Sequence, residues 1–193
     1  MKKIIFFVFI SFNVFALPGD EKLTGDKRTA CEVILCLSSS ERPSECNPPI
    51  AKYFSIKAYS HGSYSPSKTI QKRKEFLKLC PASSADNKME SLVVAMSKQE
   101  ILCKADELNK IVDRKFSSCG RDCTPDVYYR TSPSLPEYCS VLYNHEYTNL
   151  QLPQYTCDKK FYLEKDWRRG YTVKYDYINR EIRTPIKKAC WVD

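Results

Sequence analysis

Between Thr29 and Leu37 the stretch TACEVILCL puts apolar residues on every side of a helical wheel, the pattern of a buried helix. Thr29-Ala30-Cys31-Glu32 has the spacing of a capping box, so a helix is expected to start at Thr29 and to stop in Ser38-Ser39-Ser40, before Pro43. Asn47-Pro48-Pro49 predicts a short second helix through Ile50, Tyr53 and Phe54, with proline at its first positions. After the loop AYSHGSYSPSK, Ser65-Pro66 opens a third, whose apolar side is Ile70, Phe76, Leu77, Leu79 and Cys80. Pro81 closes it. Asn87-Lys88-Met89-Glu90 and Ser97-Lys98-Gln99-Glu100 are two further capping boxes. The second predicts a helix with Ile101, Ala105, Leu108 and Val112 at i, i+4, i+7 and i+11. Ser134 to Pro136 opens another, with Leu135, Tyr138, Cys139, Leu142 and Tyr143 on one stripe.

The period changes near the end of the chain. In GYTVKYDYI, Tyr171, Val173, Tyr175 and Tyr177 alternate with Thr172, Lys174 and Asp176, the period of a strand. Arg168-Arg169-Gly170 could turn it back from a strand around Phe161 to Leu163. The fold expected is mainly α, a disulfide-stapled helical domain with a small C-terminal β-hairpin or strand-bearing tail. The divisions are residues 1–16, a signal peptide; 17–28, a flexible mature N-terminus; 29–155, the helical domain; and 156–193, the aromatic tail.

The first of these rests on MKKIIFFVFISFNVFA. Lys2 and Lys3 precede an apolar run from Ile4 to Phe15 that ends on Ala16, the pattern of a secretory signal. The run is too short to span a bilayer, so no stable membrane insertion is expected. Export changes the meaning of the ten cysteines, Cys31, Cys36, Cys46, Cys80, Cys103, Cys119, Cys123, Cys139, Cys157 and Cys190. In an oxidising compartment an even number of thiols reads as a disulfide framework. With only His61 and His145 and no C-x-x-C pair, a zinc site is not expected, and no cofactor is implied. Cys31 and Cys36 sit roughly 140° apart around a helix, so each needs a partner elsewhere. Cys36 or Cys31 is expected to pair with Cys46 or Cys80, another of these to reach Cys103, and Cys157 to pair with Cys190. Cys119 and Cys123 form a small local bridge or two separate staples.

Charge adds less. The net formal charge of +8 falls to +6 without Lys2 and Lys3, a balance compatible with nucleic acid, an anionic surface or plain solubility. The basic helix KTIQKRKEFLK, with Lys72, Arg73 and Lys74, invites a phosphate-binding reading, but its charges fall where a solvated helix face belongs. Nucleic acid is therefore not the expected partner. Tyr171, Tyr175 and Tyr177 offer an interaction surface, or a face packed on the core. His145, beside Glu146, is the one candidate for a general base, with no nucleophile identifiable in sequence. No catalytic residue is assigned.

The segments CEVILCLSSSERPSECNPPIAKYFSI, EFLKLCP and YCSVLYNHEYTNLQLPQY, spread over roughly residues 30 to 155, resemble the TrbM/KikA family of conjugal transfer proteins. The cysteine-spaced opening followed by P-P-I-x-x-Y-F-x-I is the specific part. The resemblance implies an exported, periplasmic or released, accessory protein of a type IV secretion-like transfer system, with envelope or mating-pair-formation proteins as partners. It implies no cofactor and no enzymatic activity, and only Cys31, Cys36, Cys46 and Cys80 carry over. The competing readings are an exported hydrolase acting on the cell envelope and a secreted toxin-like protein.

Overall fold

TACEVILCL lies within the first helix of the computed structural model, which describes residues 23–120 and 123–193. The expected signal peptide lies outside them. Helix α1 (Gly25–Ser38) starts ahead of Thr29, whose hydroxyl donates to Gly25 O instead of capping. Gly25 to Arg28, expected in a flexible N-terminus, thus form its first turn. Ala30, Val33, Ile34 and Leu37 are buried, against α2 (Asn47–Ser55), α3 (Pro66–Leu77) and α4 (Asn87–Ser97). Between α2 and α3 a tight hairpin pairs β1 (Tyr59–Ser60) with β2 (Ser63–Tyr64). His61 and Gly62 take left-handed φ of 50° and 79° at its turn, which accounts for the place of that histidine. The cap of α4 is Asp86, whose carboxylate accepts from Met89 N at 2.7 Å.

The expected helix over Ile101–Val112 does not form. Only α5 (Ala105–Leu108) is helical there, and Val112 begins β3 (Val112–Phe116). Two carbonyls near the end of α4 are engaged by side chains. The Tyr53 hydroxyl donates to Met96 O at 2.6 Å, and Arg73 Nη1 donates to Gln99 O at 2.6 Å. These contacts fasten the turn that follows α4 to α2 and α3. Ser97, the supposed cap, instead donates back to Val94 O at 2.8 Å.

The fold class is accordingly mixed α/β, which corrects the mainly α expectation. Strand β3 pairs antiparallel with β4 (Val127–Thr131), whose VYYRT is rich in the β-branched and aromatic residues that strands favour. After α6 (Glu137–Tyr143), β5 (Gln154–Tyr155) pairs with β9 (Trp191–Val192). β6 (Tyr162–Leu163) extends the first sheet to the order β3-β4-β6. It is thus not the partner of the tyrosine strand. That strand, β7 (Tyr171–Tyr175), follows α7 (Glu164–Arg169) and Gly170 at φ 85°, and forms a separate hairpin with β8 (Glu181–Pro185).

The bridges are Cys31–Cys80, Cys36–Cys46, Cys103–Cys139, Cys119–Cys123 and Cys157–Cys190. Cys103 therefore pairs with α6 and not with the first helices, because α4 packs on α6 and the loop after α4 carries Cys103 to it. Trp191 closes the core from the far end. Its indole N–H donates to Ser132 O at 2.9 Å, and its amide to Asn109 Oδ1 at 2.8 Å.

Candidate interaction surface

Of the basic triplet on α3, Lys72 is exposed and Lys74 partly so, whereas Arg73 is only 5% exposed. Arg73 therefore cannot belong to an interaction surface. It lies one turn from Thr69 and one turn from Leu77, on the buried face of α3. Its guanidinium donates to Ile56 O (3.2 Å), Phe54 O (3.2 Å) and Gln99 O (2.6 Å), and lies 5.2 Å from the ring centres of Tyr53 and Phe54. It ties the end of α2 to the turn after α4. Burial pushes the neighbouring Tyr53 phenol well above the ordinary tyrosine range.

His145 is also accounted for by packing. Its Nδ1 accepts from Tyr147 N at 3.1 Å, so in the neutral ring Nε2 carries the proton, 3.0 Å from Lys88 O and 2.9 Å from Ser91 Oγ. A ring in that tautomer cannot take a proton from Ser91, and Glu146 is held away by Lys88 at 2.7 Å. The Ser91–His145 contact is a clasp between α4 and the chain after α6. No group of three or more His, Cys, Asp or Glu among the described residues is placed to hold a metal ion.

The three tyrosines part company in the hairpin. Tyr171 is half-buried at its base, between the guanidinium groups of Arg169 at 4.8 Å and Arg183 at 5.0 Å. Tyr175 is 65% exposed at the end of β7. Tyr177 lies beyond the strand, in the turn, and is 97% exposed. Asp176 holds this turn. Its Oδ1 accepts from Ile178 N at 3.0 Å and Arg180 N at 2.8 Å, and its Oδ2 from Arg180 Nε at 3.1 Å. Asn179 takes the left-handed φ of 61° that the turn requires. Ile178 and Ile182, absent from the sequence expectation, are exposed beside the tyrosines.

The hairpin has both β8 faces in solvent and four large apolar side chains, Tyr175, Tyr177, Ile178 and Ile182, exposed near its tip. Below it, α7 sets Trp167 against Tyr162, ring centres 6.4 Å apart and planes at 29°. Lys188 Nζ lies 4.8 Å from the Trp167 ring centre. Burial pushes the Tyr162 and Tyr155 phenols up in this region. No described helix is long and apolar enough to cross a membrane.

No curated protein and no solved structure matches the chain. The family model for TrbM does, over residues 22–183. That span takes in the bridged helices and also the tail as far as Arg183, so the hairpin is part of what is matched. With four-fifths of its length so covered, the chain belongs to the TrbM family of conjugal transfer proteins.

Proposed function

We propose that this TrbM protein works in the periplasm as an accessory of a conjugative, type IV secretion-like system, by binding other envelope or mating-pair-formation proteins. The observation that carries the reading is the family match over residues 22–183. Two features support the location. Five disulfides suit an oxidising compartment, and MKKIIFFVFISFNVFA has the make-up of an export signal. In this reading residues 29–155 are the stapled frame and residues 156–193 the contact element, with Tyr175, Tyr177 and Ile178 at its tip.

The test is a mating assay with a donor from which the gene has been removed and then restored in trans. Transfer is expected to fall on deletion and to return with the wild-type gene. A Tyr177→Ser, Ile178→Ser gene should restore it only in part, although its product accumulates normally. Unchanged transfer on deletion overturns the role. Full rescue by the double variant overturns the assignment of the hairpin tip.

A further inference from the structure

The arginines and lysines of the C-terminal part are used differently. Arg130, Arg168, Arg169, Arg180 and Arg183 each hold a carboxylate of this chain: Asp113, Glu164, Asp166, Asp176 and Glu181. Among the described residues, none of Lys159, Lys160, Lys165, Lys174, Lys187 and Lys188 is in an ion pair. Three of these lysines lie at or beside one cavity. Lys160 and Lys187 line a cavity of about 240 Å³, and Lys188 lies over Trp167, which forms its wall with Tyr162. The Cys157–Cys190 bridge joins the two segments that carry the lysines. The lining carboxylate, Asp158, turns to its own loop, where Oδ1 accepts from Lys160 N at 3.1 Å. Lys187 Nζ donates to Thr156 Oγ1 at 2.9 Å and keeps two further protons to give.

Lys160, Lys187 and the nearby Lys188 outnumber the one lining carboxylate, Asp158, and this excess of positive charge favours an anion in the corner. The neighbouring backbone narrows the kind of anion. Asp176 N donates to Arg180 O and Ile186 N to Gly170 O, which fixes the alternation of bonded pairs in the hairpin. The N–H groups of Glu181 and Arg183 then face away from β7, on an edge that no described strand covers. Pro185, at the cavity end of that edge, lines the cavity. The cavity has room for one or two side chains. It lacks the long basic track that a polynucleotide uses, and the nearby arginines, the residues best suited to phosphate, are already paired.

We propose that the cavity lined by Lys160 and Lys187, with Lys188 over its Trp167 wall, receives carboxylates of an extended acidic segment of an envelope protein, which adds as a strand along β8. This rests on the protein-contact reading above and names the chemistry of the partner. Lysine ammonium groups supply charge, and the β8 edge supplies direction.

The test uses the oxidised full-length protein and three labelled probes: the peptide (Glu-Thr)5, its neutral counterpart (Gln-Thr)5, and a thymidine oligonucleotide of matched charge. Anisotropy gives affinity. The change in tryptophan emission that Trp167→Phe removes reports occupancy. The acidic peptide is expected to bind about tenfold more tightly than the neutral one, and more weakly as salt is raised. Lys160→Gln, Lys187→Gln and Lys188→Gln together should abolish that difference. The exposed lysines of α3, changed as Lys68→Gln, Lys72→Gln and Lys78→Gln, should leave it in place. Amide exchange at Glu181 and Arg183 should slow on binding. Equal affinity for the two peptides, equal loss in both lysine sets, tighter binding of the oligonucleotide, or unprotected β8 amides each overturn the proposal. All six lysines are partnered by no carboxylate or lie at the surface, and circular dichroism checks that the variants fold. The two readings fail separately: transfer unchanged by gene deletion removes the conjugative role and leaves the peptide result standing, whereas a failed peptide assay leaves the role.

Discussion

Arg73 shows how much one side chain can decide. Its three carbonyl acceptors, Phe54 O, Ile56 O and Gln99 O, belong to the end of α2 and the turn after α4, so one guanidinium joins the two. Arg73→Ala leaves these carbonyls buried without donors and should cost about 3 kcal/mol in urea unfolding. Arg73→Lys recovers only part, since an ammonium cannot span the same fork. A loss below about 1 kcal/mol for Arg73→Ala would show that the guanidinium is not holding the turn. Asp86 adds a pH dependence. The Met89 amide, and then the Tyr147 hydroxyl, hold its carboxyl below the usual range. A depressed folded-state pKa gives stability that is present above the unfolded value and is lost as pH falls through the folded one. Asp86→Asn, which keeps a cap, should therefore lower Tm at neutral pH and flatten its acid limb, the two curves converging in acid. Parallel curves would remove Asp86 from the account.

At the scale of elements, the bridges should differ in worth by the loops they close. Chain-entropy estimates give about 4 kcal/mol for Cys31–Cys80, about 3 for Cys36–Cys46 and least for Cys119–Cys123. Replacing each pair by serine and comparing denaturation midpoints should reproduce that order, and a Cys119–Cys123 pair as costly as Cys31–Cys80 would contradict it. Element by element, the sequence was legible where local signals decide. Pro66 starts α3, and the Leu135–Tyr143 stripe contains α6. It was not legible where a distant group intervenes. The i, i+4, i+7, i+11 stripe from Ile101 to Val112 is a sound helix pattern. The chain there follows tertiary contacts instead, among them Tyr53 with Met96 O and Arg73 with Gln99 O, which cannot be read within that window. The buried place of Arg73 was readable from its spacing to Thr69 and Leu77, but the flanking lysines concealed it.

For the whole molecule, the surface was half legible. The alternation of tyrosines pointed to the hairpin, yet Tyr171 is taken up by Arg169 and Arg183, and Tyr177 owes its exposure to a turn that Asp176 organises. The lysine cavity was not legible, because its walls come from β4, the Cys157 loop, α7 and the segment before Cys190. The pattern of bridges has one more consequence. Cys36–Cys46 lies inside Cys31–Cys80, Cys119–Cys123 lies inside Cys103–Cys139, and Cys157–Cys190 follows both, so no bridge crosses another. In the proposed export, a chain emerging through a membrane from its N-terminal side can therefore finish each third in turn, at Cys80, Cys139 and Cys190. No later third needs a thiol that an earlier one has used, and Cys31 and Cys36, first to emerge, are kept from each other by their positions around α1.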